Sequence, residues 1–313
     1  MKKIKLFLIF SFLTAIISLT GVYSYYALSQ ETKTMDASAR KGVGGKFIRL
    51  SKGITRYNLE GPDTAKTIIL LHGGSVIGDY VWEKNYKALI DSGFRVLKFD
   101  MYGRGYSDRV NEAQTLDLFV SQINELTDSL KLSGPFEIIG VSMGGSIATG
   151  FADKYPEKTE KLVLISPIAV NPGKKRWYID NPVLGNFLVS VYWYPRCVKK
   201  QMGEFFDGKK LAEYESHLKY LSEYKGVKAD TRSAWSNILA EDLTPAIERL
   251  AERNKKVLLI WGKQDPVVPI AASEKYKKIL PSINFQEVDQ AGHISNYEKP
   301  DVVNAAIAGF LKD

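Results

Sequence analysis

The pentapeptide Gly140-Val141-Ser142-Met143-Gly144 sets a hydroxyl between two glycines, after the apolar "FEIIG" and before the helix-like "GGSIATGFA". On so sharp a strand-to-helix turn the serine backbone is strained, its neighbours must lack bulk, and Oγ projects past the strand end. The backbone N–H of Met143 then faces the place where an oxyanion would develop. That is the chemistry of acyl transfer through a serine nucleophile. Serine alone attacks poorly, so a base and an orienting acid must come from elsewhere in the chain.

The chain has 3 histidines. His72 closes "LLHGG" and is expected to hold a turn that shapes an oxyanion site. His217 lies in "EYESHLKY" and reads as a helix surface residue. His293, in "DQAGHISNYEKP", follows the last strand-like segment in a loop of small residues, so elimination and context make it the base. Asp265 stands just past the apolar "VLLIWG", on a loop held by two prolines. A carboxylate there can accept Nδ1–H of His293 and stabilise the imidazolium. Its alternative role is an N-cap before "PIAASEKY". Asp289, within a strand-like segment, and Glu298, before Pro300, are the competing acids.

These groups need a scaffold. From residue 46 onward strand signals alternate with helix signals. "FIRL" and "ITRYNLE" suit an opening hairpin. "KTIILLHGG" suits a strand buried on both faces, and "FRVLKFD", "FEIIGVS", "KLVLISP" and "KKVLLIWG" suit further strands. Helical spacing separates them, which predicts an α/β fold with a doubly wound, mostly parallel sheet. Residues 169–245 break the alternation with aromatic, helix-like segments, a mostly helical insertion between the sixth and seventh strands. It is placed to cap the crevice at the carboxyl ends of the strands. The expected organisation is therefore a core of residues 46–168 and 246–313, a cap of 169–245, a linker of 31–45, and a leader of 1–30.

The leader carries three lysines by position 5 and then 25 uncharged residues, Leu6 to Gln30. About 20 apolar residues cross a bilayer as a helix. A basic flank before an apolar core predicts export, either by a signal peptide cleaved before Gln30 at "ALS" or by a retained membrane anchor. Cys197 is the single cysteine, so no intramolecular disulfide forms and a free buried thiol is expected. No cysteine follows the apolar segment closely, so a lipid-anchored cysteine is not indicated. The formal charge is +8. It is concentrated near the N-terminus and in residues 174–200, where basic and aromatic residues interleave. No nucleic-acid module is recognisable, and this pattern fits an anionic membrane surface better.

The order Ser142, Asp265, His293 is the nucleophile–acid–base order of the α/β-hydrolase pattern. Over residues 46–313 the chain resembles that superfamily, through "LLHGGSVIGDYVW", "FDMYGRGYSDR", "GVSMGG" and "WGKQDPVVP…AGH". The resemblance implies an oxyanion hole from the backbone N–H groups of Met143 and Gly74, with Ser75 the neighbouring candidate. It also implies a shaping role for Asp100, Arg104 and Ser107. Relatives with an aspartate nucleophile are excluded by Ser142. The expected activity is hydrolysis of small hydrophobic carboxylic esters, similar to monoacylglycerol lipases, with Phe187, Leu188, Val191, Tyr192 and Trp193 as an apolar substrate wall. C–C bond hydrolysis of ring-cleavage products is the alternative, since it uses the same triad. Peptidase, thioesterase and non-catalytic ligand-binding roles stay open. No metal cluster or dinucleotide fingerprint is present, and the triad needs no cofactor.

Overall fold

Strands covered on both faces have no side on which to show polar groups, and the uninterrupted apolar runs occupy the middle of the sheet accordingly. The computed structural model describes residues 2–170 and 174–313. β1 (Lys46–Arg49) and β2 (Ile54–Glu60) form an antiparallel pair at one edge, and β2 joins β4 antiparallel. β3 (Thr67–Leu71), β4 (Arg95–Phe99), β5 (Phe136–Val141), β6 (Thr159–Ile165), β7 (Lys256–Gly262) and β8 (Asn284–Val288) run parallel to one another. The spatial order of the 8-stranded sheet is β1-β2-β4-β3-β5-β6-β7-β8. Every residue of β3 and β5 is buried, whereas the edge strands β1 and β8 are largely open.

Fourteen α-helices accompany the strands among the described residues. α1 (Lys2–Ser29) and α2 (Ala37–Arg40) precede the sheet. α3 (Glu83–Asp91), α4 (Leu116–Ser129) and α5 (Met143–Lys154) connect its first strands. α6 (Trp177–Asp180), α7 (Pro182–Leu188), α8 (Cys197–Met202), α9 (Ala212–Ser222) and α10 (Val227–Ser236) form the cap. α11 (Thr244–Glu252), α12 (Ser273–Ile279), α13 (Ser295–Glu298) and α14 (Pro300–Lys312) complete the second half. One apolar cluster packs α4, α5, α11 and α12 on one face of the sheet, and a second packs α3 and α14 on the other and continues into the cap.

The cap leaves and rejoins the core at a neck where Leu243 N–H donates to Ala169 O at 2.8 Å. Cys197 lies buried inside the cap, where burial pushes its thiol up to about 11. Residues 31–45, expected from their polar, glycine-ended composition to be a linker, lie against the cap and the core. Lys33 bridges to Tyr224, the Glu31 carboxylate accepts Lys228 N–H at 2.6 Å, and Arg40 pairs with Asp108. Composition is blind to these partners, because they come from the cap and from the loop after β4.

Candidate active site

Ser142 sits at the β5–α5 junction with φ 55 and ψ −118, a left-handed backbone that costs a residue with a side chain about 1–3 kcal/mol. The glycines around it are obligatory on steric grounds. A Cβ on Gly144 would lie 2.2 Å from Leu71 O, and one on Gly140 would lie 2.2 Å from Gly144 O. α5 is therefore pressed against β3 and β5, and its N-terminus opens at the carboxyl end of the sheet.

Asp265 and His293 meet at that same end. His293 Nδ1 lies 2.8 Å from Asp265 Oδ2, while Asp265 Oδ1 accepts the N–H groups of Val267 at 2.8 Å and Val268 at 2.9 Å. The two loops are laced together: Gln264 N–H donates to Ala291 O at 3.0 Å, and a Cβ on Gly262 would lie 2.0 Å from Gly292 O. Burial pushes the His293 imidazole down, but the hydrogen bond and charge of Asp265, with Glu204 behind them, hold its pKa above the ordinary value. Ser142, His293, Gly73, Gly74 and Ser75 line one cavity. Among the described residues no hydrogen bond joins Ser142 Oγ to the His293 ring. In such sites that contact commonly tightens only with substrate in place.

Gly74 faces Met143, since a Cβ built on it would stand 3.7 Å from Met143 Sδ. Ser75 lines the same cavity, and its hydroxyl is held by Gln201 of α8. The loop bearing both is propped from beneath. Arg104 Nε donates to Gly74 O at 3.0 Å, and the His72 ring joins Gly73 O at 2.7 Å to Met101 N–H at 2.9 Å. Burial lowers the His72 pKa to about 4, so the ring is neutral, with Nδ1 the donor and Nε2 the acceptor. Asp100 accepts N–H groups of Asp79 and Tyr106, and Ser107 Oγ donates to Asp100 O. All four residues shape the site from outside the cavity.

The competing acids are placed elsewhere. Asp289 is exposed and accepts from Gln264 Nε2 at 3.1 Å. Glu298 accepts Gly292 N–H at 2.7 Å and Asp207 N–H at 3.0 Å, so it ties the loop carrying His293 to the cap. His217 is stacked on Tyr80 at 4.1 Å, which makes it a half-buried contact between cap and core instead of a surface residue.

The substrate wall needs correction. Trp193 does line a cavity of ≈ 470 Å³ that contains Ser142 and His293, but Phe187 and Tyr192 do not. Phe187 stacks on Tyr23 of α1, and Tyr192 is 56% exposed. Neither Leu188 nor Val191 borders the cavity. Consecutive residues of a helical turn point about 100° apart, so a run of adjacent aromatics cannot form one wall. The apolar lining instead includes Ile168, Trp235, Leu239, Val267 and Val268, with Arg176, Lys200 and Gln201 as polar groups.

Sequence reasoning also missed Glu204, which borders both Ser142 and His293 from the cap side. Burial pushes its carboxyl up to about 7, with the charge of His293 pulling it down and Asp265 pushing it up. Nothing in "QMGEFFD" marks it, because only the folding of the cap brings that loop over Ser142 and His293.

The family profile described as alpha/beta hydrolase fold matches residues 66–300. The 2-hydroxy-6-oxononadienedioate/2-hydroxy-6-oxononatrienedioate hydrolase 1 of Pseudomonas putida is 28% identical over 279 residues, covering 85% of this chain and 96% of that protein. Among solved structures, a meta-cleavage product hydrolase of Pseudomonas fluorescens superposes with TM-score 0.68 at 22% identity, covering 86% of this chain and 97% of that one. An esterase of Thermogutta terrifontis superposes with TM-score 0.73 at 20% identity, covering 86% and 98%.

Proposed function

This chain belongs to the alpha/beta hydrolase fold family, and from that premise we propose that it is a serine hydrolase cleaving a carbon–carbon bond beside a ketone in a small anionic substrate. The carrying observation is the shared cavity, which is lined by Ser142 and His293 and, among its other groups, by Arg176 and Lys200. A 2-hydroxy-6-oxo-dienedioate, the substrate named for the Pseudomonas putida relative, has a ketone for the nucleophile and carboxylates for the cations.

In this reading His293 Nε2 takes the Ser142 proton as Oγ adds to the ketone carbon. Asp265 keeps Nδ1 protonated and stabilises the imidazolium. The N–H groups of Met143 and Gly74 receive the oxyanion. The dienol first ketonises, losing its enol proton and gaining one on the carbon beside the ketone, so that this carbon becomes saturated. Collapse of the tetrahedral adduct then breaks the bond between the ketone carbon and that neighbour. The electron pair passes through the adjoining double bond onto the 2-oxo group, whose oxygen takes up a proton to give a 2-hydroxydienoate, and water activated by His293 then releases the acyl group from Ser142 as a carboxylic acid.

A second reading, hydrolysis of a hydrophobic carboxylic ester, is favoured by Ile168, Trp235 and Leu239, which line the same cavity as Ser142. Both readings share the triad. Steady-state turnover of a synthetic 2-hydroxy-6-oxo-dienoate, beside p-nitrophenyl esters of graded length, separates them. A kcat/KM for the best ester that exceeds that for the dienoate overturns the carbon–carbon reading.

We also assign α1 as a membrane anchor. It is 28 residues long, has a mean hydropathy of 2.1 over its most apolar window and buries none of that window against the protein. Resistance of the chain to alkaline carbonate extraction from membranes is the corresponding test.

A further inference from the structure

We propose that the cap edge built from α6, α7, the Val189–Trp193 turn and α8 rests on an anionic phospholipid bilayer, so that the catalytic cavity opens at the membrane surface. The proposal rests on α1 being the anchor and is independent of which bond Ser142 cleaves.

The first support is where α1 ends. Its C-terminal end lies on this edge: Tyr23 stacks on Phe187 at 6.2 Å, and Gln30, the residue after the helix, donates its Nε2–H to Ser190 O at 3.1 Å. Glu31 then fastens the chain to Lys228 N–H at 2.6 Å. A helix whose uncharged stretch starts at Leu6 uses up about 20 residues in crossing the hydrocarbon. That brings the Phe187–Trp193 segment to the level of the head groups.

The second support is composition. The edge leaves apolar side chains in water that a soluble surface would cover, with Trp177 exposed by 74% and Val183 by 80%. Lys174, Lys175, Arg196 and Lys199 are exposed among them, and Asp180 is the one acid between residues 174 and 203. Tyr192 carries Arg196 at 4.7 Å and Lys200 at 5.0 Å against its ring. Exposed aromatics interleaved with cations match an anionic head-group layer in both polarity and charge. The third support is continuity, because Arg176, Trp193 and Lys200 belong to this edge and also line the cavity of Ser142.

The test uses the full chain in lipid nanodiscs. In a Cys197→Ser background, single cysteines at Val183 and, as a control on the core, at Lys87 carry nitroxide labels. In discs containing phosphatidylglycerol, the label at 183 should be several-fold less accessible to a water-borne nickel chelate, and more accessible to oxygen, than the label at 87. Arg196→Glu with Lys199→Glu should erase that difference. A label at 183 as open to the chelate as the control overturns the proposal, and so does one shielded from both reagents, which would mean that protein covers the edge. Quenching of native fluorescence by brominated lipid, lost in Trp177→Phe, checks the same contact without the cysteine changes. Carbonate extraction reads the anchor separately: a chain that stays inserted while position 183 stays aqueous refutes the edge alone.

Discussion

The main-chain N–H of His293 donates to the main-chain carbonyl of Glu204 at 2.8 Å, so the proposed base is held directly by the cap. The same cap residue lines the cavity with His293, and its carboxyl acts electrostatically on the imidazole. Cap position and base position are thus one geometric variable, and the chemistry answers to both.

Ser142→Ala should lower kcat by on the order of 10⁶-fold, as in other triads that act as a unit. Covalent labelling by a fluorophosphonate should vanish with it. Labelling that persists in the variant would place the nucleophile elsewhere.

Glu204→Gln should move the acid limb of the kcat/KM profile to lower pH. The charge of Glu204 helps to raise the His293 pKa. The base works only when neutral, so removing that charge lets the imidazole lose its proton earlier. An acid limb that stays where it was would show that the carboxyl does not couple to the base.

The same substitution should alter how stability depends on pH. The folded-state pKa of Glu204 is raised from 4.5 to about 7, so its contribution is full below about 4.5 and is lost as pH rises through about 7. Thermal melts of the native chain should therefore weaken across that window more than those of Glu204→Gln. Parallel melting curves would contradict this.

Glu298→Ala leaves the N–H groups of Gly292 and Asp207 without their acceptor, at about 1–3 kcal/mol for each buried group. Stability in urea should fall, and kcat should fall with it as the His293 loop loosens. Glu298→Gln, which keeps one acceptor oxygen, should recover part of both losses. An alanine variant with unchanged kcat would separate the strut from catalysis.

Gly144→Ala would drive a methyl group to 2.2 Å from Leu71 O and 2.6 Å from His72 O, both main-chain atoms with little room to move. A loss of about 1–3 kcal/mol or more follows from such overpacking. A calorimetric melt unchanged from the native protein would mean that α5 is not held against β3 in this way.

What the amino-acid order determined by itself was everything governed by short-range rules. Apolar runs of strand length became the central strands. The glycines around Ser142 marked a turn that only small residues permit, and the loops after β7 and β8 delivered Asp265 and His293 to the same end of the sheet. The tertiary structure alone decided the rest. Glu204, Arg176 and Lys200 reach the cavity because the cap folds back over it, and Phe187 and Tyr192 turn away because neighbouring helical residues diverge. Residues 31–45 became docked for the same reason, their partners lying far along the chain. Backbone sterics and periodicity are local and can be read in sequence, whereas proximity across a folded insertion depends on the packing of whole elements.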